Sequence, residues 1–259
     1  MTWANRRRLF IVLILVVVIG GLSFWHYSPS IFVLPTCSDN KQNGDEVGVD
    51  CGGSMCTNLC TSQIKIPTVL WQRSFPVTSS VYNAAAYIVN KNDAAARAIP
   101  YEFRLYDANN LLVARRDGVA LVPPLGRYAI IETGIEVGLA KVARTTFDFS
   151  ATPVVWEHIP AATEKLFTTT TGITLDATGT IPRLNALLNN SSPTATLNNT
   201  FVAAILYGAD DNAVNVSQTL IQTLSPLASA PIVFTWPSAF VTPVVRYEII
   251  PVIDVFHVD

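Results

Sequence analysis

The chain has 259 residues, 50% hydrophobic and 14% charged, with a formal net charge of −2. So low a charged share excludes a disordered polyelectrolyte, and the absence of surplus cations excludes a nucleic-acid binder that neutralises phosphates. Three histidines and two methionines leave little material for a metal-rich or redox enzyme.

Leu9 to Trp25 reads LFIVLILVVVIGGLSFW, without a charge. As a helix rising 1.5 Å per residue it covers about 25 Å, and His26 and Tyr27 bring it close to the roughly 30 Å hydrocarbon core. Arg6, Arg7 and Arg8 precede it and no acid occurs before Asp39. The positive-inside bias therefore puts residues 1–8 in the cytoplasm, an anchor at 9–27 in the membrane, and the bulk of the chain outside. The far end of the run, Phe24-Trp25-His26-Tyr27, is bulky and lacks the small residues of a signal-peptidase site, so an uncleaved single-pass anchor is expected.

All four cysteines, Cys37, Cys51, Cys56 and Cys60, fall in a segment assigned to residues 28–66. An even count in so short a stretch, outside a membrane, reads as two disulfides that substitute for a core. Three pairings satisfy the count. Zinc is the rival reading, but the spacing lacks paired C-x-x-C knuckles. In the same segment Asp39, Asn43, Gly44, Asp45 and Asp50 match positions one, five, six, seven and twelve of a calcium loop. Lys41 at position three and the short Asp50 at twelve depart from it. Two readings stand: calcium at Asp39, Asn43, Asp45 and Asp50, or a polar turn with Gly44, Gly48, Gly52 and Gly53 at unusual backbone angles.

From Pro67 onward, short runs rich in Val, Ile, Thr, Tyr and Phe alternate with Asn, Asp, Gly and Pro clusters, as in antiparallel sandwiches. Gly134 to Ala143 is the least regular stretch, with room for a short helical turn. The stretch also repeats. NAAAYIVN (83–90) matches RLNALLN (183–189), and YEFRLYDANN (101–110) matches VAAILYGADD (202–211). VPPL (122–125) matches LSPL (224–227), and TPVVWE (152–157) matches TPVVRYE (242–248). The expected fold is all-β, with two tandem immunoglobulin-like sandwiches at 67–155 and 156–259 behind the helix and the disulfide-rich segment.

Along the first copy, Tyr101, Phe103 and Leu105 should face inward and Glu102 and Arg104 outward, with a turn at Asp107-Ala108-Asn109-Asn110. In the second copy FVAAILY (201–207) has no polar face. Such a strand is either covered on both sides by the neighbouring module or its own loops, or presents Phe201, Ala203, Ile205 and Tyr207 as an apolar patch to another protein.

Phe103-Arg104-Leu105-Tyr106-Asp107 resembles the bacterial FxLYD-type domain, an immunoglobulin-like module usual in exported proteins. The second copy departs from that motif at Ala204 and Gly208. The layout of anchor, C-x-D…N-G-D-E…D-C-G-G…C segment and two modules is similar to a bacterial membrane-anchored family of unknown function. That likeness implies architecture and carries no catalytic residues.

Signals for chemistry are sparse. There is no G-x-S-x-G elbow and no glycine-rich phosphate loop ahead of a helix. His26, His158 and His257 lack ligand-spaced neighbours, and Asp45-Glu46 and Asp210-Asp211 sit in turn-like contexts. Trp71, Trp156 and Trp236 are expected in packing, and four N-x-S/T matches (Asn189, Asn190, Asn198, Asn215) read as chance. The expectation is a non-enzymatic protein at the cell membrane that presents tandem sandwiches for protein binding, adhesion or envelope scaffolding, without cofactor or nucleic acid. The alternative is a calcium- or ligand-binding accessory subunit of an envelope complex.

Overall fold

The computed structural model describes residues 3–31, 37–56, 58–150, 154–159 and 168–258. Thr152 and Pro153, which open the fourth repeat match, and residues 32–36 of the segment after the anchor lie outside that set. The chain divides into two compact units, Met1–Cys56 and Thr57–Asp259.

In the first unit, helix α1 spans Trp3–Ile31. Asn5–His26 has mean hydropathy 2.5 and is long and apolar enough to cross a membrane, with none of its most apolar window buried in the protein. A helix that exposes Leu and Val on every side has no soluble core to serve.

The second unit is built of strands: β1 (Thr68–Pro76), β2 (Val81–Asn90), β3 (Ala94–Tyr106), β4 (Leu112–Val122), β5 (Gly126–Glu136), β6 (Arg144–Phe149), the short β7 (Glu157–His158), β8 (Thr168–Asp176), β9 (Arg183–Asn190), β10 (Leu197–Tyr207), β11 (Ala213–Leu224), β12 (Ser229–Thr235) and β13 (Arg246–Val252). Two antiparallel sheets, ordered β1-β2-β5 and β4-β3-β6, enclose the first core, and β7 pairs with the start of β3. The second core lies between β8-β9-β12 and β11-β10-β13, the same order repeated. The irregular stretch after Gly134 is the end of β5 followed by a turn, without a helix.

Period-two patterning builds the first core. Tyr101, Phe103 and Leu105 point inward among Ile88, Val122, Ile130 and Phe147. Gly118, opposite Tyr101 in the register, leaves room for that ring: a Cβ there would sit 2.4 Å from the Tyr101 hydroxyl. Residues 58–66 close one end, with Leu59 and Ile64 packed on the core and Leu59 N donating to Trp156 O at 2.8 Å.

The repeat extends into side-chain detail. Asn90 and Asn190 are both buried, as the last residues of β2 and β9. Asn90 Nδ2 donates to Ala94 O and Pro123 O, and Asn190 Nδ2 to Ala195 O, Leu224 O and Ser225 O. Each ties one hairpin turn to the next, so the true partner of Asn90 is Asn190, one residue beyond the match read from sequence. The turns after β3 and β10 also coincide, with Asn110 and Asp211 both at positive φ (60° and 57°). Arg144 lies 4.1 Å over Tyr106 and bonds Asn110 Oδ1; Arg246 lies 3.6 Å over Tyr207 and bonds Asp211 Oδ1.

A third apolar cluster joins the sandwiches. Phe75, Ala85, Tyr87 and Ile131, on the outer face of β1-β2-β5, meet Ala203, Ile205, Tyr207, Ala213, Val216 and Ile250 of the second copy. β2 and β10 are thus covered on both sides, which is why NAAAYIVN and FVAAILY lost the alternation of an ordinary half-exposed strand.

Candidate functional site

In the first unit, Cys37 is bonded to Cys56. Cys51 and Cys60 are disulfide-bonded too, so no cysteine is free. The acidic side chains of the loop hold its backbone. Asp50 accepts from the amides of Asp39 (2.8 Å) and Asn40 (2.9 Å). Asp39 accepts from Lys41 N and Asn43 Nδ2, and Asp45 from Ser54 N. These bonds to Ser54 keep the exposed Asp45 carboxyl below its usual value. Gly44, Gly52 and Gly53 have positive φ, whereas Gly48 does not and instead bridges to Cys51. Gly53 is irreplaceable, because a Cβ there would lie 2.4 Å from Asp45 O.

Sequence patterning missed Glu46, the buried acid of this loop, which accepts from the amides of Asn43 (3.2 Å) and Asp50 (3.3 Å). Among the described residues, the one group of three Cys, His, Asp or Glu with ligand atoms mutually within 4.8 Å is Cys37, Glu46 and Cys56. Its two sulfurs are spent on the disulfide, and a disulfide sulfur is neither a thiolate ligand nor a donor to Glu46.

In the second unit the strand FVAAILY is where the sequence pointed, but it is not an open patch. Ala203, Ile205 and Tyr207 are buried under the first sandwich, and Phe201 alone is half-exposed. The covering surface carries a polar triad. Tyr87 donates to Glu248 Oε1 at 2.6 Å and Tyr207 to Glu248 Oε2 at 2.9 Å. Beside it, Arg73 donates to Ala213 O and Asn212 Oδ1. Burial first, and then the bonded Glu248 carboxylate, raise both phenols, Tyr207 to about 12.

An alkaline titration should show this directly. An unfolded tyrosine ionises near pH ~10, so unfolded chain releases these protons before the folded protein does. The contribution of the triad to stability is therefore complete below about pH 10 and lost as pH rises through 12. Absorbance at alkaline pH should find late-ionising tyrosines, two of which move to lower pH in Glu248→Gln. A Glu248→Gln titration superimposable on that of the parent protein would refute the coupling.

The equivalent surface of the first copy is charged. Glu102, Arg104, Arg115 and Asp148 occupy the register positions of Ala203, Ile205, Val216 and Ile250. Glu102 is buried between Arg104 and Arg115, with which it pairs. The histidines and tryptophans take packing or surface roles. His257 Nδ1 lies 2.7 Å from Asp254 and His158 Nδ1 3.6 Å from Asp93. Trp156 and Trp236 are buried in the two cores, and Trp71 packs at the joint.

No family model matches the chain, and no curated protein matches it. Among solved structures it is similar to a red sea bream transglutaminase at 13% identity and a TM-score of 0.24, over 74% of this chain. The chain spans 30% of the length of that structure, and a likeness at that score carries nothing about fold or catalysis.

Proposed function

We propose that the chain is a single-pass, extracytoplasmic protein without enzymatic activity, which holds two rigidly joined sandwiches away from the membrane for protein binding, adhesion or envelope scaffolding. The observation that carries this reading is the pairing of an apolar helix behind three arginines with a following segment whose cysteines are all bonded. Disulfides persist in oxidising compartments, and arginines stay on the cytoplasmic side. Both supports favour sandwiches on the outer side of the membrane. The rigid joint fits a presenting role, because a surface held in one orientation loses little entropy when a partner docks. The immunoglobulin-like character expected from the FxLYD motif belongs to the same reading. The carboxylates of the Cys37–Cys56 loop, engaged with backbone amides, favour the turn over the calcium alternative.

Reporter fusions test the orientation. A phosphatase that folds only outside the cytoplasm, fused after Val258, should be active, and a cytoplasm-dependent fluorescent protein at the same site dark. Replacing Arg6, Arg7 and Arg8 by glutamate should reduce the phosphatase signal severalfold. An inactive phosphatase with a bright fluorescent fusion would end the proposal.

A further inference from the structure

One cleft of the first sandwich stands apart electrostatically. It opens between the edge strand β1 and the segment leading into β6, with a volume of about 380 Å³. Arg73, Lys141 and Arg144 line it, and no acidic residue does. In a chain of net charge −2 that is a local reversal.

Most arginines of the sandwiches are paired among the described residues, although the exposed Arg127 and Arg183, like those of the cleft, are not. Arg97, Arg104, Arg115, Arg116 and Arg246 each pair with a carboxylate. Among the described residues, the three cleft cations have no carboxylate at ion-pair distance. Arg73 is fixed by a carbonyl and an amide oxygen, Arg144 by Asn110 and the Tyr106 ring. Asp210, in the next turn, feels the field of Arg73, but Asn212 occupies its carboxylate. Neutral anchors orient a guanidinium without cancelling its charge.

The Tyr82 hydroxyl adds a donor to the site. Tyr82 accepts from Val142 N through its oxygen, which leaves its proton to give. Alongside runs β1, first in the order β1-β2-β5, so alternate backbone N–H and C=O groups between Gln72 and Phe75 turn away from β2, while Pro76 has only a carbonyl to offer.

We propose that this cleft seats an extended acidic peptide segment of a protein partner. The segment adds to β1 as a strand, and its carboxylates, on alternate residues, meet Arg73, Lys141 and Arg144. This rests on the protein-binding reading above and names the site and the ligand chemistry.

The test uses the full chain in detergent micelles and a fluorescent octapeptide of alternating Thr and Glu. Binding should weaken about tenfold or more in Lys141→Glu, persist in Lys141→Arg, and fall with added salt. The same peptide with Gln for Glu should bind at least about tenfold more weakly. N-methylation of alternate peptide amides should abolish binding, because strand addition needs them. Lys141 is exposed, so its variants keep the fold, and an unchanged Tm confirms this. No binding of the acidic peptide, or equal binding by Lys141→Glu, overturns the proposal. So does dextran sulfate binding alongside an undiminished N-methylated peptide, which marks a general polyanion surface. Crosslinking in cells separates the two readings. Partners retained by Lys141→Glu sink the cleft alone, whereas peptide binding by a chain that captures no partner sinks the wider role.

Discussion

Ile205→Asp should lower the stability of the full chain by at least about 4 kcal/mol, among the largest effects any single substitution can have here. Ile205 is fully buried in the cluster that joins the sandwiches, facing Ala85, Tyr87 and Ile131. An aspartate there either desolvates its charge without a partner or forces the joint open. Calorimetry should show Tm falling by about 10 °C and the melting transition separating into two, as the sandwiches lose their coupling. Phe201→Asp, four residues earlier on the same strand face but half-exposed, is the control and should cost no more than about 0.5 kcal/mol. Equal losses from both would mean that the cluster is not a coupling surface.

The second large effect is expected at Asn190. Its amide satisfies carbonyls at Ala195 (2.7 Å), Leu224 (3.2 Å) and Ser225 (3.1 Å), and its oxygen accepts from Ser192 N at 3.0 Å. Asn190→Ala leaves several of these buried groups unpaired, at about 3 kcal/mol in total. Asn190→Asp should be worse at neutral pH, since a buried carboxylate would confront carbonyl oxygens. Burial and those dipoles raise its folded pKa above the unfolded value of about 4. The penalty is therefore complete at neutral pH and shrinks as pH falls through the folded pKa. Urea unfolding at two pH values checks this. A pH-independent Asn190→Asp, no weaker than Asn190→Ser, would refute the account. Asn90→Ala should behave like Asn190→Ala, because Asn90 does the same work for Ala94 and Pro123.

What was legible in the sequence was local. Tyr101, Phe103 and Leu105 could be oriented from alternation, and the turn at Asp107–Asn110 from its residue types, because both depend on near neighbours. The repeat was visible because Tyr106 and Tyr207 close the same turn. The joint was half legible: FVAAILY had to be covered, but sequence could not choose between the neighbouring module and another protein. Glu248 was invisible, since it acts on Tyr87, 161 positions away. Glu46 was hidden for another reason. An acid in a polar loop is ordinarily solvated, and its burial follows from the path the bonded cysteines impose on the chain. Asn90 and Asn190 looked like turn residues; that they also bridge to the following hairpin depends on strand pairing that no local pattern encodes.

The substitution of Glu102, Arg104, Arg115 and Asp148 for the apolar set of the second copy has a consequence for assembly. A head-to-tail contact between similar modules is open-ended by construction, since each member repeats the surface that received the one before, and such contacts grow into fibres unless something stops them. Here the leading module meets any would-be neighbour with a plate of four ionised groups, which would have to be stripped of water to be covered. That plate, spread over β3, β4 and β6, disfavours the docking of a further module on this face.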